Sequence, residues 1–214
     1  MRRVVTVFSL VLGLALVGAA SAAAATIQVV APWGNEVYTD TDTITLTYSI
    51  DAGKKVPQEA VNAVEDAISA WQAFLAANEG SGDFVVTAAA PGAKADVPIT
   101  IRNGGGRILG QTKFTLDRQG FIKAAPVSIS GSSFGLANDP DTVTYIAEHE
   151  LGHALVGLGH SDDSGDLMFP TIGDTNPGIG ACEAAGFDLL YSPWLTDGNS
   201  STTPTLPGAT SASC

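Results

Sequence analysis

All three histidines of the 214-residue chain fall in one short stretch, at His149, His153 and His160, with Glu150 beside the first. On a helix, residues four apart share a face, so His149 and His153 present both imidazoles to one point. Two neutral nitrogen donors beside a carboxylate form the H-E-x-x-H arrangement. There a zinc ion keeps an open coordination position and Glu150 is placed to take a proton from water. The chemistry of such a set is metal-assisted hydrolysis. His160 offers a third nitrogen, and Leu167-Met168-Phe169-Pro170 follows it. H-E-x-x-H alone arises by chance in helices, and Met168 alone would be core filler. The glycine exit, the third histidine and the Met168–Pro170 turn together raise the pattern above that bland reading.

The helix must then end before His160. That residue lies seven positions after His153, a rise of roughly 10 Å along a continuous helix, whereas zinc–nitrogen bonds are about 2 Å. The chain has to break and turn back, and Gly157 and Gly159 can adopt the left-handed conformation that does this. At the other end, Asp139 is placed to cap the helix and Pro140 to open it. Val143, Ile146, Ala147 and Leu155 supply the buried side, Tyr145 reads as packing and Glu148 as solvent-facing.

Upstream, Ile44, Leu46, Tyr48 and Ile50 alternate with polar residues, the pattern of a half-buried strand. Ile27 to Val30 is β-prone, and Trp33-Gly34-Asn35 reads as loop. Pro57 opens a helix whose stripe is Val61, Val64, Ile68, Trp71 and Leu75, ended by Gly80. Trp71 at that spacing is core, not a ligand-stacking residue. Phe84 to Thr87 and Val97 to Ile101 read as strands, and Gly104-Gly105-Gly106 as a flexible connector. Phe114 to Leu116 and Phe121 to Ile129 read as a hairpin around Asp117-Arg118-Gln119-Gly120, with Pro126 marking an edge or bulge. Ser130 to Asn138 reads as loop and Ala181 to Tyr191 as a last short helix.

Composition sets the compartment. Arg2 and Arg3 precede an uncharged run ending in alanines, so residues 1–25 read as a signal peptide and the chain as secreted. Residues 26–194 then form one domain, and 195–214 a Ser/Thr/Pro-rich flexible tail or stalk carrying the Asn199-Ser200-Ser201 sequon. The net charge is −12, or −14 once Arg2 and Arg3 leave, which excludes nucleic acid as a partner. No further apolar run reaches membrane-spanning length. Cys182 and Cys214 either form a disulfide or leave Cys182 a plain buried thiol.

From about Ile44 to Tyr191 the chain resembles the catalytic domain of a matrixin, a metzincin zinc endopeptidase. Leu46-Thr47-Tyr48 in the first long strand, the Trp71 helix, His160-Ser161, the Met168 turn and Gly186-Phe187-Asp188-Leu189-Leu190-Tyr191 carry the resemblance. It implies an α+β fold: a twisted mixed five-strand sheet, two long helices and a small C-terminal subdomain with a short helix. It also implies one catalytic zinc on His149, His153 and His160, with Glu150 as general base and Met168 and Pro170 in the turn beneath the metal. A protein or peptide substrate is expected to lie extended along an edge strand of a monomer. The specificity pocket is expected to be walled by Phe169, Thr171 and Ile172. One departure stands out. Ala154, Leu155 and Val156 precede Gly157 where a matrixin has two residues, so a helical bulge or looser last turn is expected to absorb the extra one. Asp162 or Asp163 is the reserve ligand. Asp162, Asp163 and Asp166 could hold a structural calcium, but they lack the loop-ligand pattern, and a solvated acidic turn is the favoured reading. Two alternatives remain: a catalytically silent metzincin-fold adhesion module, against which the intact Glu150 speaks, and an enzyme whose third ligand is Glu183.

Overall fold

Alternation and helical periodicity together build the frame of the molecule. The computed structural model describes residues 24–34, 43–78, 84–103, 108–133, 136–195 and 206–214. The signal peptide read over 1–25 lies almost wholly outside these residues. So do Gly80, the Gly104–Gly106 connector and the sequon.

The chain enters through strand β1 (Thr26–Val29) and crosses to β2 (Ile44–Ala52), where Ile44 and Leu46 are fully buried. Helix α1 (Gln58–Asn78) follows and buries Val64, Ile68, Trp71 and Leu75 along one stripe. Strands β3 (Phe84–Ala88) and β4 (Val97–Asn103) run parallel to β2 on either side of it. A parallel return needs a crossover long enough to traverse the sheet, and α1 provides it between β2 and β3.

Next come β5 (Gly110–Thr112), β6 (Thr115–Leu116), β7 (Ile122–Ala124), β8 (Val127–Ser133) and β9 (Leu136–Ala137). The main sheet runs β3-β2-β4-β8-β5, with β9 paired off β8. Only β5 is antiparallel to its neighbour on that path. This is the mixed five-strand sheet expected, and α1 packs beside α2 (Pro140–Leu151). Helix α3 (Ala181–Leu195) closes the C-terminal part and adds Phe187, Leu190 and Tyr191 to the core. Among the described residues no helix is long and apolar enough to cross a membrane.

Four local expectations are corrected. The run from Phe121 to Ile129 is not one strand: it divides at Ala125-Pro126 into β7, which pairs with β6, and β8, which joins the main sheet. Proline lacks the N–H a continuous ladder needs, so the break falls there. The loop read over Ser130 to Asn138 contains the end of β8 and all of β9. Trp33, read as loop, is fully buried and bridges to Ile122. Finally, the tail read as flexible returns to the domain at its end. Strand β11 (Ser211–Ser213) pairs with β1, which also pairs with β10 (Leu158–Ser161), in a three-stranded antiparallel sheet. The Cys182–Cys214 disulfide, with Cα atoms 4.8 Å apart, ties that strand to α3.

Candidate metal centre and active site

Helix α2 starts where its sequence says it should. The Asp139 carboxylate accepts from Thr142 N at 2.9 Å and from Thr142 Oγ1 at 2.6 Å, and these two bonds hold its pKa below the usual range. Pro140 opens the first turn. At the far end Trp71 Nε1 donates to the Glu148 carbonyl at 2.8 Å, so α1 fixes the turn that carries His149.

The extra residue is absorbed after Leu151. There the helix widens into a π turn, Gly152–Val156, which ends at Gly157 with φ 86°. A π turn holds one residue more than an α turn spanning the same hydrogen-bond ladder, which is the bulge expected from the lengthened motif. Gly157 N–H closes the turn on Gly152 O and His153 O, and the last three carbonyls are met from outside. Trp33 Nε1 donates to Ala154 O and Leu155 O, each at 3.1 Å, and the Tyr191 hydroxyl donates to Val156 O at 2.9 Å. Gly157 then reverses the chain into β10, which brings His160 back to the other two histidines.

The three rings converge. Centroids lie 4.9 Å apart for His149–His153, 4.9 Å for His153–His160 and 5.4 Å for His149–His160. One ring nitrogen from each lies within 4.8 Å of the others. His149 Nδ1 donates to Leu167 O at 2.8 Å and His153 Nδ1 donates to Leu158 O at 2.7 Å. With each Nδ1 anchored, the lone pair on Nε2 is the one left to bind a metal. Burial is the main cause holding all three histidines below their usual pKa, His153 to about 3. They are therefore neutral at pH 7, the form a metal needs. This donor set fits zinc.

Glu150 is only 6% exposed. Burial raises its pKa to about 7 against a lowering contribution from Thr112, whose hydroxyl donates to Glu150 Oε2 at 2.6 Å. A cleft of about 320 Å³ opens beside Glu150 and His149. Phe169, Pro170, Thr171 and Ile172 line it, as do Ile108, Leu109, Gly110 and Ile146.

Met168 is fully buried beneath the helix that carries His149 and His153, where a Cβ on Gly152 would stand 2.5 Å from its Sδ. Glu183 does not join the histidines. It is 1% exposed and accepts from Met168 N at 3.2 Å and Gly180 N at 2.7 Å, so the alternative reading with Glu183 as third ligand gives way to a backbone clasp under the turn. Glu148, expected in solvent, is 7% exposed and accepts from Asn176 Nδ2 at 2.6 Å; burial raises its pKa. Its position on α2 faces the segment after Met168, which no helical pattern on α2 alone reveals. The acidic residues after His160 hold protein donors. Asp162 accepts from Thr26 N and Oγ1, Asp163 from Gly165 N and Asp166 from Ser161 Oγ. The remaining cluster of metal-type ligands among the described residues, Asp166 with Cys182 and Cys214, has both thiols in the disulfide.

Four residues at the site escaped the sequence reading: Ile108 and Leu109 in the cleft lining, and Gly110 and Thr112 on β5. The strand is short, has no alternation and lies next to the glycine run. Its only sequence signal is the apolar pair Ile108-Leu109 just before it.

The mixed sheet, the paired helices and the three convergent histidines, of which His149 lines the cleft, define a metallopeptidase-type α+β domain. A family model described as Matrixin matches residues 37–184, and the chain belongs to the matrixin family of peptidases. It is also similar to Matrilysin of Homo sapiens, at 47% identity over 47 residues. That stretch covers 22% of this chain and 15% of the relative, so the chain matches only a small part of that protein's length.

Proposed function

We propose that the chain is a secreted zinc-dependent endopeptidase that hydrolyses internal peptide bonds. The observation that carries this reading is the convergence of three neutral imidazoles, two of them oriented by backbone carbonyls, beside a buried glutamate. His149, His153 and His160 would hold the metal. Zinc supplies, when bound, a Lewis acid that polarises the scissile carbonyl and lowers the pKa of water.

The remaining steps belong to the chain's own residues. Glu150 takes the proton from water and returns it to the leaving amine. Its pKa of about 7 in the metal-free site falls when a dication sits nearby, so the carboxylate is ionised at neutral pH. The open edge of β5 pairs with an extended substrate backbone. Phe169, Thr171 and Ile172 wall the pocket for the side chain beyond the cut. Met168 and Pro170 form the turn that supports the metal helix from below. Residues 1–25 act as the export signal, and 26–194 as the protease domain. An adhesion module would use the C-terminal segment as a free stalk, but β11 and the disulfide bind its end to the domain.

Purified chain should cleave casein or gelatin, lose this activity on chelation and regain it on addition of zinc. Cleavage that survives complete metal removal would contradict the proposal, as would stoichiometric zinc with no cleavage.

A further inference from the structure

The geometry points to β5 as the holder of the catalytic base: Thr112 fixes the Glu150 carboxylate through its hydroxyl, and Gly110 leaves the space in which that carboxylate lies. The inference rests on the reading of Glu150 as the base and deepens it. Thr112 acts through Glu150, so it is a positioning residue.

Thr112 Oγ1 lies 2.6 Å from Glu150 Oε2 and 3.0 Å from the Glu150 carbonyl oxygen. A hydroxyl has one hydrogen to donate, and the charged, nearer acceptor takes the larger share of it. Two positions earlier on the strand, a Cβ built on Gly110 would stand 2.4 Å from Glu150 Oε1, 2.6 Å from its Cγ and 2.8 Å from its Cδ. Residues two apart on a strand share a face. Gly110 and Thr112 therefore both meet Glu150, while Gln111 between them is exposed.

The platform is fixed. Gly110, Gln111 and Thr112 pair in register with Ile129, Ser128 and Val127 of β8, and β5 ends the sheet. A glutamate has several rotamers within reach beside a cleft, and a base held in one of them starts closer to the reacting geometry. Because the proposed substrate pairs with this same edge, one strand sets the register of both the peptide and the base.

Thr112→Val keeps the side-chain shape and removes the hydroxyl. The expected result is a fall in kcat of about tenfold, with KM within about twofold of wild type and zinc content unchanged. Thr112→Ser should restore kcat, and Gly110→Ala should lower it with zinc still bound. A second readout needs no activity: a double-mutant cycle of Thr112→Val and Glu150→Ala on the folding stability of the zinc-free chain. Glu150→Ala keeps the main-chain carbonyl, so the cycle isolates the bond to the carboxylate. The expected result is a smaller effect of Thr112→Val when Glu150 is already alanine. Additive effects would overturn the inference, as would wild-type kcat in Thr112→Val or no rescue by serine. A wild-type chain that cleaves nothing would defeat the endopeptidase reading alone, with the cycle still deciding whether β5 holds Glu150.

Discussion

Glu150→Ala is expected to abolish peptide cleavage while leaving zinc bound and the domain folded. A positioned general base contributes about 10²–10⁴-fold to rate, and no other carboxylate of the described chain shares the lining of this cleft. Zinc should stay because the three imidazoles hold it without Glu150. The fold should stay because the buried carboxylate is itself a burden: burial lifts its pKa to about 7, so its removal relieves desolvation even as Thr112 loses a partner. Zinc content, thermal unfolding and peptide cleavage measured on the same preparation check this. Cleavage within about tenfold of wild type would remove Glu150 from its role.

Gly157→Ala should do more harm to the structure than any surface change of the same size. At φ 86° the residue sits where side chains are strained, and a Cβ would stand 1.9 Å from the Ala31 carbonyl oxygen, a backbone atom that cannot swing away. Strain and overlap together should lower folding stability by at least about 3 kcal/mol and weaken zinc binding, because this turn returns His160. Gly178→Ala is the natural control. It has φ 72° with nothing within 4 Å of the added methyl, so only the conformational penalty remains, about 1 kcal/mol. Denaturant unfolding of the two variants and the wild type should separate them by at least about 2 kcal/mol. Equal losses would mean that the close approach to Ala31 can relax.

The parts of this site legible in the sequence are those whose cause is local. Asp139 and Pro140 announce the start of α2, and Gly157 announces the end of the π turn that continues it. The bulge is legible only against the matrixin motif, which has two residues where Ala154, Leu155 and Val156 stand before Gly157. The pairing of the second sheet was opaque for the opposite reason, although Ile27 to Val30 reads as β-prone. Thr26–Val29, Leu158–Ser161 and Ser211–Ser213 are three or four residues each and are defined only by one another. No periodicity develops over so few residues, and the pairing spans almost the whole chain. Ser211–Ser213 in particular looks like any polar tail until Cys214 is seen bonded to Cys182. Strand β5 was hidden in the same way, and Gly110 and Thr112 with it. Glu148 illustrates a further limit. Its side chain faces neither the sheet nor α1 but the segment that carries Asn176, and the helix periodicity that predicts burial knows nothing of a later segment folding back.

The central claim is that the widened turn after Leu151 delivers His160 as the third ligand. Zinc content and X-ray absorption of the purified wild-type chain beside His160→Ala test it most directly. One zinc per chain with three histidine nitrogens in wild type, and one nitrogen fewer with a large loss of affinity in His160→Ala, is the expected result. Equal zinc binding with the same histidine count in both would contradict it.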